Sequence, residues 1–310
     1  MAGITDRPFR EIAERYGAGL VVSEMIASAA LGTGHQDMVR KLTRAGTLPH
    51  MVQLAGCEPG WMAEGARIAE NAGADIIDIN FGCPAKRVTS GYAGSALMRV
   101  PDQALAIVEA VVGATKLPVT VKMRLGWDDD SLNASTIARL AVGAGAQMIT
   151  VHGRTRQQFY KGQARWSLVR DVVEAVPVPV VVNGDITELS AAREALAQSG
   201  AAAVMLGRGA QGQPWRVGEI GAGLAGKEPP ATPKGAELAD LISTHYEEML
   251  IDYGIEVGLR AARKHLDWYA EAAGLGLDKP TRKALLDNDQ PGDVLSLIKQ
   301  LFDGDWRVAA

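Results

Sequence analysis

Apolar and polar positions fall in blocks along this chain, and the blocks alternate in period. Short, β-branched apolar runs occupy 20–25, 51–54, 75–80, 119–123, 148–152, 178–183 and 202–206. Nearly continuous apolar runs of this length predict parallel strands covered on both faces. Between them the spacing predicts helices over 60–73, 102–115, 133–145 and 187–199, with another over 7–17 ahead of the first run. Most of these end in Gly or Gly-Ala, as helix C-termini often do. Ala72-Gly73-Ala74-Asp75, Gly143-Ala144-Gly145-Ala146 and Ser199-Gly200-Ala201-Ala202 fill the same helix-to-strand slot three times. Such a repeat of a βα unit favours an α/β protein of the (β/α)8 TIM-barrel type. Seven strands are one short of a barrel. The eighth belongs before Ala2-Gly3-Ile4-Thr5-Asp6, so the expectation is a first strand missing from this chain.

The pattern changes after about residue 225. Positions 226–233 carry three prolines and read as a linker. Beyond it the periodicity is helical only, over 236–252, 256–273, 279–286 and 292–302. Two domains are expected: a barrel over 1–225 and a C-terminal all-α domain over 235–310.

Composition narrows the setting. A chain of 310 residues, 47% hydrophobic and 22% charged, suits one large α/β domain with an appendage. No run of about 18 apolar residues spans a membrane, and no basic-then-apolar leader begins the chain. The two cysteines, Cys57 and Cys83, are too few for a disulfide framework and lack the spacing of a zinc site. A cytoplasmic monomer without a metal is therefore expected. The net charge of −4 argues against indiscriminate polyanion binding. Any nucleic-acid partner has to be met by a local basic patch.

Barrel enzymes build their sites at the C-terminal ends of the strands. Here those ends carry Glu24, Gln53, Asn80 to Cys83, Lys122, His152, Asn183-Gly184-Asp185 and Gly207-Arg208. The loops after the last two strands lie where barrels often bind phosphate, although their glycines also serve simply to turn the chain. Lys122 ends a buried strand and needs an anionic partner, either a bound phosphate, an electron-rich ring or a structural carboxylate. His152 either contacts a ligand or caps its strand. Cys83 sits between Gly82 and Pro84, which fix a tight loop. Thiols stay mostly protonated at neutral pH, so this one is suited to general-acid work. Cys57, past its strand end, serves as the control. Lys86, Arg87, Arg154, Arg156, Lys161 and Arg165 belong to loops at the same end, where together they form a candidate rim for a phosphate backbone. In the tail, Arg260, Lys264 and Trp268 share a helix face with Arg263 beside them. They read either as a phosphate grip or as core aromatics with solvated cations.

These positions fall into a known pattern. Met1-Ala2-Gly3-Ile4-Thr5-Asp6, Gln53-Leu54-Ala55-Gly56, Asn80-Phe81-Gly82-Cys83-Pro84 and Lys122-Met123-Arg124 resemble the tRNA-dihydrouridine synthases. So do His152-Gly153-Arg154-Thr155, Asn183-Gly184-Asp185 and Met205-Leu206-Gly207-Arg208-Gly209-Ala210. Arg263-Lys264-His265 with Trp268-Tyr269 is similar to the bacterial B-type branch. The resemblance implies a flavin barrel followed by a helical domain that grips tRNA. It implies FMN as cofactor, NADPH or NADH as reductant, and reduction of uracil to 5,6-dihydrouridine with Cys83 as the acid. Met1 and Ala2 would lie by the flavin ring, and Gln53 and Lys122 at its polar edge. Asn183, Gly184, Asp185, Gly207 and Arg208 would hold the phosphate, with His152 close by. Asn80, Arg154, Arg260, Arg263 and Lys264 would meet the tRNA. The rivals are a flavin barrel reducing free pyrimidines, of the dihydroorotate or dihydropyrimidine dehydrogenase type, and a non-catalytic RNA-binding flavin barrel. An intact Cys83 disfavours the second, and the helical tail disfavours the first.

Overall fold

A computed structural model describes residues 1–303. Positions 304–310 of the expected segment 235–310 lie outside the described residues. In chain order the longer elements are α1 (Arg7–Arg15), β1 (Val21–Ala27), β2 (His50–Ala55), α2 (Pro59–Asn71), β3 (Ile76–Phe81), α3 (Pro101–Ala114) and β4 (Val119–Arg124). Next come α4 (Ala134–Gly143), β5 (Met148–His152), β6 (Val180–Asn183), α5 (Leu189–Ser199), β7 (Ala203–Met205) and α6 (Arg216–Leu224). The tail is α7 (Ala236–Tyr253), α8 (Ile255–Ala272), α9 (Lys279–Asp287) and α10 (Pro291–Phe302). None of the described helices is long and apolar enough to cross a membrane.

Local chemistry sets these boundaries. Asp6 caps α1 by accepting from Phe9 N at 3.1 Å, and Asp278 caps α9 by accepting from Thr281 N at 2.8 Å. Proline opens α2, α3 and α10, where its missing N–H costs nothing. Gly200 closes α5 in the left-handed conformation at φ 70°.

The chain forms two compact units. The first comprises Met1–Ala2 and Gly19–Gly209. Its seven strands pair in parallel in sequence order, β1 to β7. No pairing joins β1 to β7 among the described residues. This is the sequential curled sheet of a TIM-barrel-like α/β fold, as the βα repeat predicts. Every residue of β2 is buried, as are all four of β6, as expected for strands covered on both faces.

The second unit comprises Gly3–Ala18 and the residues from Ala210 on. Its division from the first therefore falls at Gly209, not at the proline-rich stretch near 225–235, and α1 belongs with the tail helices. The reason lies in packing. Ile12, Tyr16 and Trp215 belong to one apolar cluster with Ile242, Leu266, Tyr269, Ile298 and Phe302. Trp215 stacks on Tyr269 at 6.3 Å between centroids and meets Tyr16 at 6.2 Å. The prolines at 229, 230 and 233 thus sit in a connection inside this unit.

Candidate active site

Strand register assembles the site. Parallel pairing sets Gln53 beside Asp78 and Asp78 beside Thr120, then Asn80 beside Lys122 and Lys122 beside Thr150. One step further on, Arg124 pairs with His152, His152 with Asn183 and Asn183 with Met205. Paired residues in neighbouring strands point to the same face, so alternate positions stack polar groups in layers. Register thereby aligns Gln53, Asn80, Lys122, His152 and Asn183, whereas Glu24 falls at an irregularity of β1 and lies 3.7 Å from Arg40.

The deepest layer turns on Asp78, a residue the sequence reading passed over. Its carboxylate accepts from Thr120 Oγ1 at 2.5 Å and from Gln53 Nε2 at 2.7 Å. Gln53 Oε1 then accepts from Asn80 Nδ2 at 2.9 Å. That leaves Asn80 Oδ1 for the backbone N–H groups of Gly82, at 3.1 Å, and Cys83, at 2.9 Å. A carboxylate only accepts, so Asp78 dictates which way both amides face. Burial raises the Asp78 pKa to about 6, against the hydrogen bonds from Thr120 and Gln53 and the charge of Lys122. Asn80 consequently anchors the Cys83 loop. From the other side, Ser95 N and Ser95 Oγ both donate to Cys83 O, at 3.0 and 2.9 Å. The thiol itself is partly exposed.

Lys122 donates to Asn183 Oδ1 at 3.2 Å, and no described carboxylate pairs with it. Burial lowers its pKa to about 8, with the Arg124 charge adding to the effect and Asp78 opposing it. Half-buried Lys122 forms no direct salt bridge with a described carboxylate, and Asp78 reaches it only as a nearby charge that favours the ammonium. Arg124, also missed in the sequence, is 1% exposed and donates to three carbonyls: Gly82 O at 2.7 Å, Thr155 O at 2.9 Å and Phe159 O at 2.9 Å. His152 stays neutral far below its ordinary range, because burial and the charges of Lys122, Arg124, Arg154 and Arg208 all oppose its protonation.

The loops after β6 and β7 form a backbone cradle. Gly184 takes φ 115°, and a Cβ there would lie 2.9 Å from both Ala164 Cβ and His152 Cδ2. A Cβ on Gly209 would lie 2.5 Å from Ile186 O. At Gly207 a Cβ would meet nothing closer than Met1 Sδ at 3.6 Å, so Met1 borders the cradle, while Ala2 is exposed. Asn183 Nδ2 donates to Met205 O at 2.8 Å. Asp185, expected among the phosphate-holding residues, is bound within the protein. Its two oxygens accept from Arg154 at 2.9 and 2.5 Å and from Ala164 N at 2.8 Å. Burial pushes its pKa up, but these bonds outweigh burial and hold it below the usual carboxylate range. Arg154 departs from the expected role of tRNA contact, being 2% exposed and directed at Asp185 and the carbonyls of Lys161 and Gly162. The pair is a brace between two loops. Arg208 remains half exposed, 3.6 Å from Asp185 and over the Tyr160 ring at 4.9 Å.

In the helical unit, Arg260 pairs with Glu256 at 3.1 Å and Arg263 with Asp287 at 3.8 Å, all on the surface. Lys264 Nζ lies against Gly3. Tyr269 is core, 2% exposed, with its hydroxyl 2.9 Å from His245 Nδ1. Trp268 is half-buried and meets His265 edge-on at 5.4 Å. Tyr269 is therefore a core aromatic and Trp268 only partly one, while Arg260 and Arg263 are paired with surface carboxylates.

The family model described as dihydrouridine synthase matches residues 1–303. The chain is similar to a probable tRNA-dihydrouridine synthase of Rhodobacter capsulatus, 56% identical over 97% of this chain and 93% of that protein. It is 50% identical to a protein of the same description from Rhizobium leguminosarum bv. phaseoli, over 100% of this chain and 96% of the other. A tRNA-dihydrouridine synthase B of Xanthomonas axonopodis pv. citri is 44% identical over 98% of this chain and 91% of its own. Among solved structures, 6-hydroxypseudooxynicotine amine oxidase of Pseudomonas geniculata N1 matches with a TM-score of 0.53 and 15% identity. That match covers 72% of this chain and 46% of the oxidase, and it speaks to the fold alone.

Proposed function

The chain belongs to the dihydrouridine synthase family, and from that premise we propose that it reduces the C5=C6 bond of uracil in tRNA, with FMN as cofactor, NADPH as reductant and Cys83 as proton donor. One observation carries the reading: a loop-held thiol just past β3, anchored by Asn80, whose strand neighbour is Lys122, a half-buried ammonium with no salt bridge to a described carboxylate. The residues present fit a flavin phosphate. The Gly184, Gly207 and Gly209 backbone would cradle it with Arg208 supplying positive charge, while Lys122, held by Asn183, would face the polar edge of the ring. Gln53, whose Nε2 keeps one N–H beyond its bond to Asp78, would meet the polar edge of the ring. The bound flavin would supply the hydride that adds to C6 of the uracil.

The chain's own residues account for the rest. Conjugation with the C4 carbonyl makes C6 electrophilic, and negative charge gathers on C5 and the C4 oxygen. Lys122 and Arg124 provide fixed positive charge for it in a dry environment. Cys83 Sγ–H gives its proton to C5, and solvent reprotonates the thiolate through the partly exposed side of the loop. Asn80 and Ser95 keep that loop in register with the reacting ring. A uridine stacked in folded tRNA has to leave its stack to reach this depth. Arg260, Arg263 and Lys264 are retained as contacts to the body of the tRNA.

The test is incubation with NADPH and tRNA from cells lacking the modification, followed by nucleoside analysis. Dihydrouridine in tRNA, with none formed from free uracil or orotate, is the expected result. Reduction of free pyrimidines alone would move the protein to the dehydrogenase class, and no reduction of either would leave a binding protein.

A further inference from the structure

Two arginines share one indole at the same end of the sheet. Arg99 Cζ lies 4.9 Å from the Trp127 ring centroid, and Arg156 Cζ lies 4.7 Å from it. Trp127 follows β4, Arg156 follows β5, and Arg99 ends the short helix Gly94–Arg99 that trails the Cys83 loop. Backbone bonds hold these segments together: Leu125 N to Arg154 O at 3.1 Å, Arg156 N to Gly126 O at 3.0 Å and Gln157 N to Trp127 O at 2.9 Å. Asn133 Nδ2 donates to Met98 O at 2.6 Å, next to Arg99.

The two guanidiniums differ from their neighbours in what they lack. Arg154 and Arg165 pair with Asp185 and Asp129 at 2.5 and 2.6 Å, and Arg124 is bound to carbonyls. No side-chain hydrogen bond or ion pair joins Arg99 or Arg156 to a described residue, and Arg156 Nε is buried without a partner. Of the nearby acids, Asp128 accepts from Ser131 and Asp129 pairs with Arg165, while Asp130 is exposed. Holding two like charges at one ring is unfavourable, and the face of an indole only partly offsets it. An anion between them removes the penalty. The ring also restrains both side chains beforehand, so less rotamer freedom is lost on binding.

We propose that Arg99, Trp127 and Arg156 form a clamp for the phosphate backbone of the RNA substrate, set apart from the catalytic thiol. The proposal rests on the functional reading above and names how the substrate is gripped. Phosphate suits the clamp because the planar guanidinium fork binds its oxygens in pairs. On a chain of net charge −4, attraction for a polyanion has to be local, and this is a place where cationic groups stand unneutralised.

The experiment measures tRNA affinity across a salt series for the full chain and for Arg99→Gln/Arg156→Gln. Loss of two phosphate contacts should flatten the log–log slope by about 1 to 2 and raise KM for tRNA. Flavin content serves as the check on folding. On the unaltered protein, an arginine-specific dicarbonyl reagent read by mass spectrometry should find Arg99 and Arg156 protected by tRNA. An unchanged slope in a flavin-loaded variant, or labelling of both arginines unaffected by tRNA, overturns the clamp. Dihydrouridine formation by the unaltered protein is followed in parallel. Its absence sinks the functional reading, whereas an unchanged slope with dihydrouridine still formed sinks the clamp alone.

Discussion

Cys57 and Cys83 are both free and partly exposed, so what separates them is their surroundings. Burial, with the charge of Glu58 adding to it, raises the Cys57 pKa. Cys83 stands on a loop pinned by Asn80 and Ser95 at the end of the strand register that carries Lys122 and Arg124. Cys83→Ala is expected to keep its flavin and still be reduced by NADPH, yet to lose about 10²- to 10⁴-fold in tRNA turnover. Cys57→Ala is expected to be near neutral in the same assay. Equal activity of both variants would assign the proton to another group. Single residues were also where sequence reading ran short. Lys122, His152 and Asn183 were legible because they interrupt apolar strands at one end. Asp78 was equally visible as a charge inside Ile76-Ile77-Asp78-Ile79, but its task depends on Gln53 and Thr120, which are distant in sequence. The pairing of Asp185 with Arg154 is a fact of folding that no spacing in the sequence shows.

Helix and strand elements were the most legible level. Strand β5 and the tail helices have the bounds their periodicity predicts to within a residue or two, because long amphipathic patterns and proline or aspartate starts are local signals. Short elements such as the helix Lys86–Thr89 carry too little pattern to be read. What periodicity cannot give is which helices share a core, hence the displaced domain boundary. Helices α7 and α8 add a property of their own. His245 and His265 lie edge to face at 5.0 Å, each 2% exposed, with Phe9 against both and Lys264 beside the second. Burial lowers the His245 pKa to about 3, from an ordinary value near 6.5. The unfolded chain therefore binds a proton here that the native state refuses. This contribution is fully present above pH ~6.5 and is lost as pH falls toward 3, at about 1.4 kcal/mol per pH unit. His245→Gln, which keeps a partner for Tyr269, should show a shallower fall in Tm between pH 6 and 4 than the unaltered protein. Parallel falls would mean that His245 takes up its proton in the folded state.

The whole molecule joins an α/β sheet that gathers polar strand ends to membership of a family whose relatives are described by their action on tRNA. The fold class was legible because a βα repeat recurs through the chain; the substrate was legible only by resemblance, since no spacing of residues distinguishes tRNA from a free pyrimidine. The central claim is that one chain couples a flavin to a uracil within tRNA. A single-turnover experiment tests it most directly. The purified, flavin-loaded protein is reduced anaerobically with one equivalent of NADPH, freed of nucleotide and mixed with unmodified tRNA, while flavin absorbance and dihydrouridine are followed together. The flavin is expected to reoxidise while dihydrouridine appears at the same rate and in equal amount. Reoxidation without dihydrouridine, or a flavin that stays reduced in the presence of tRNA, would contradict it.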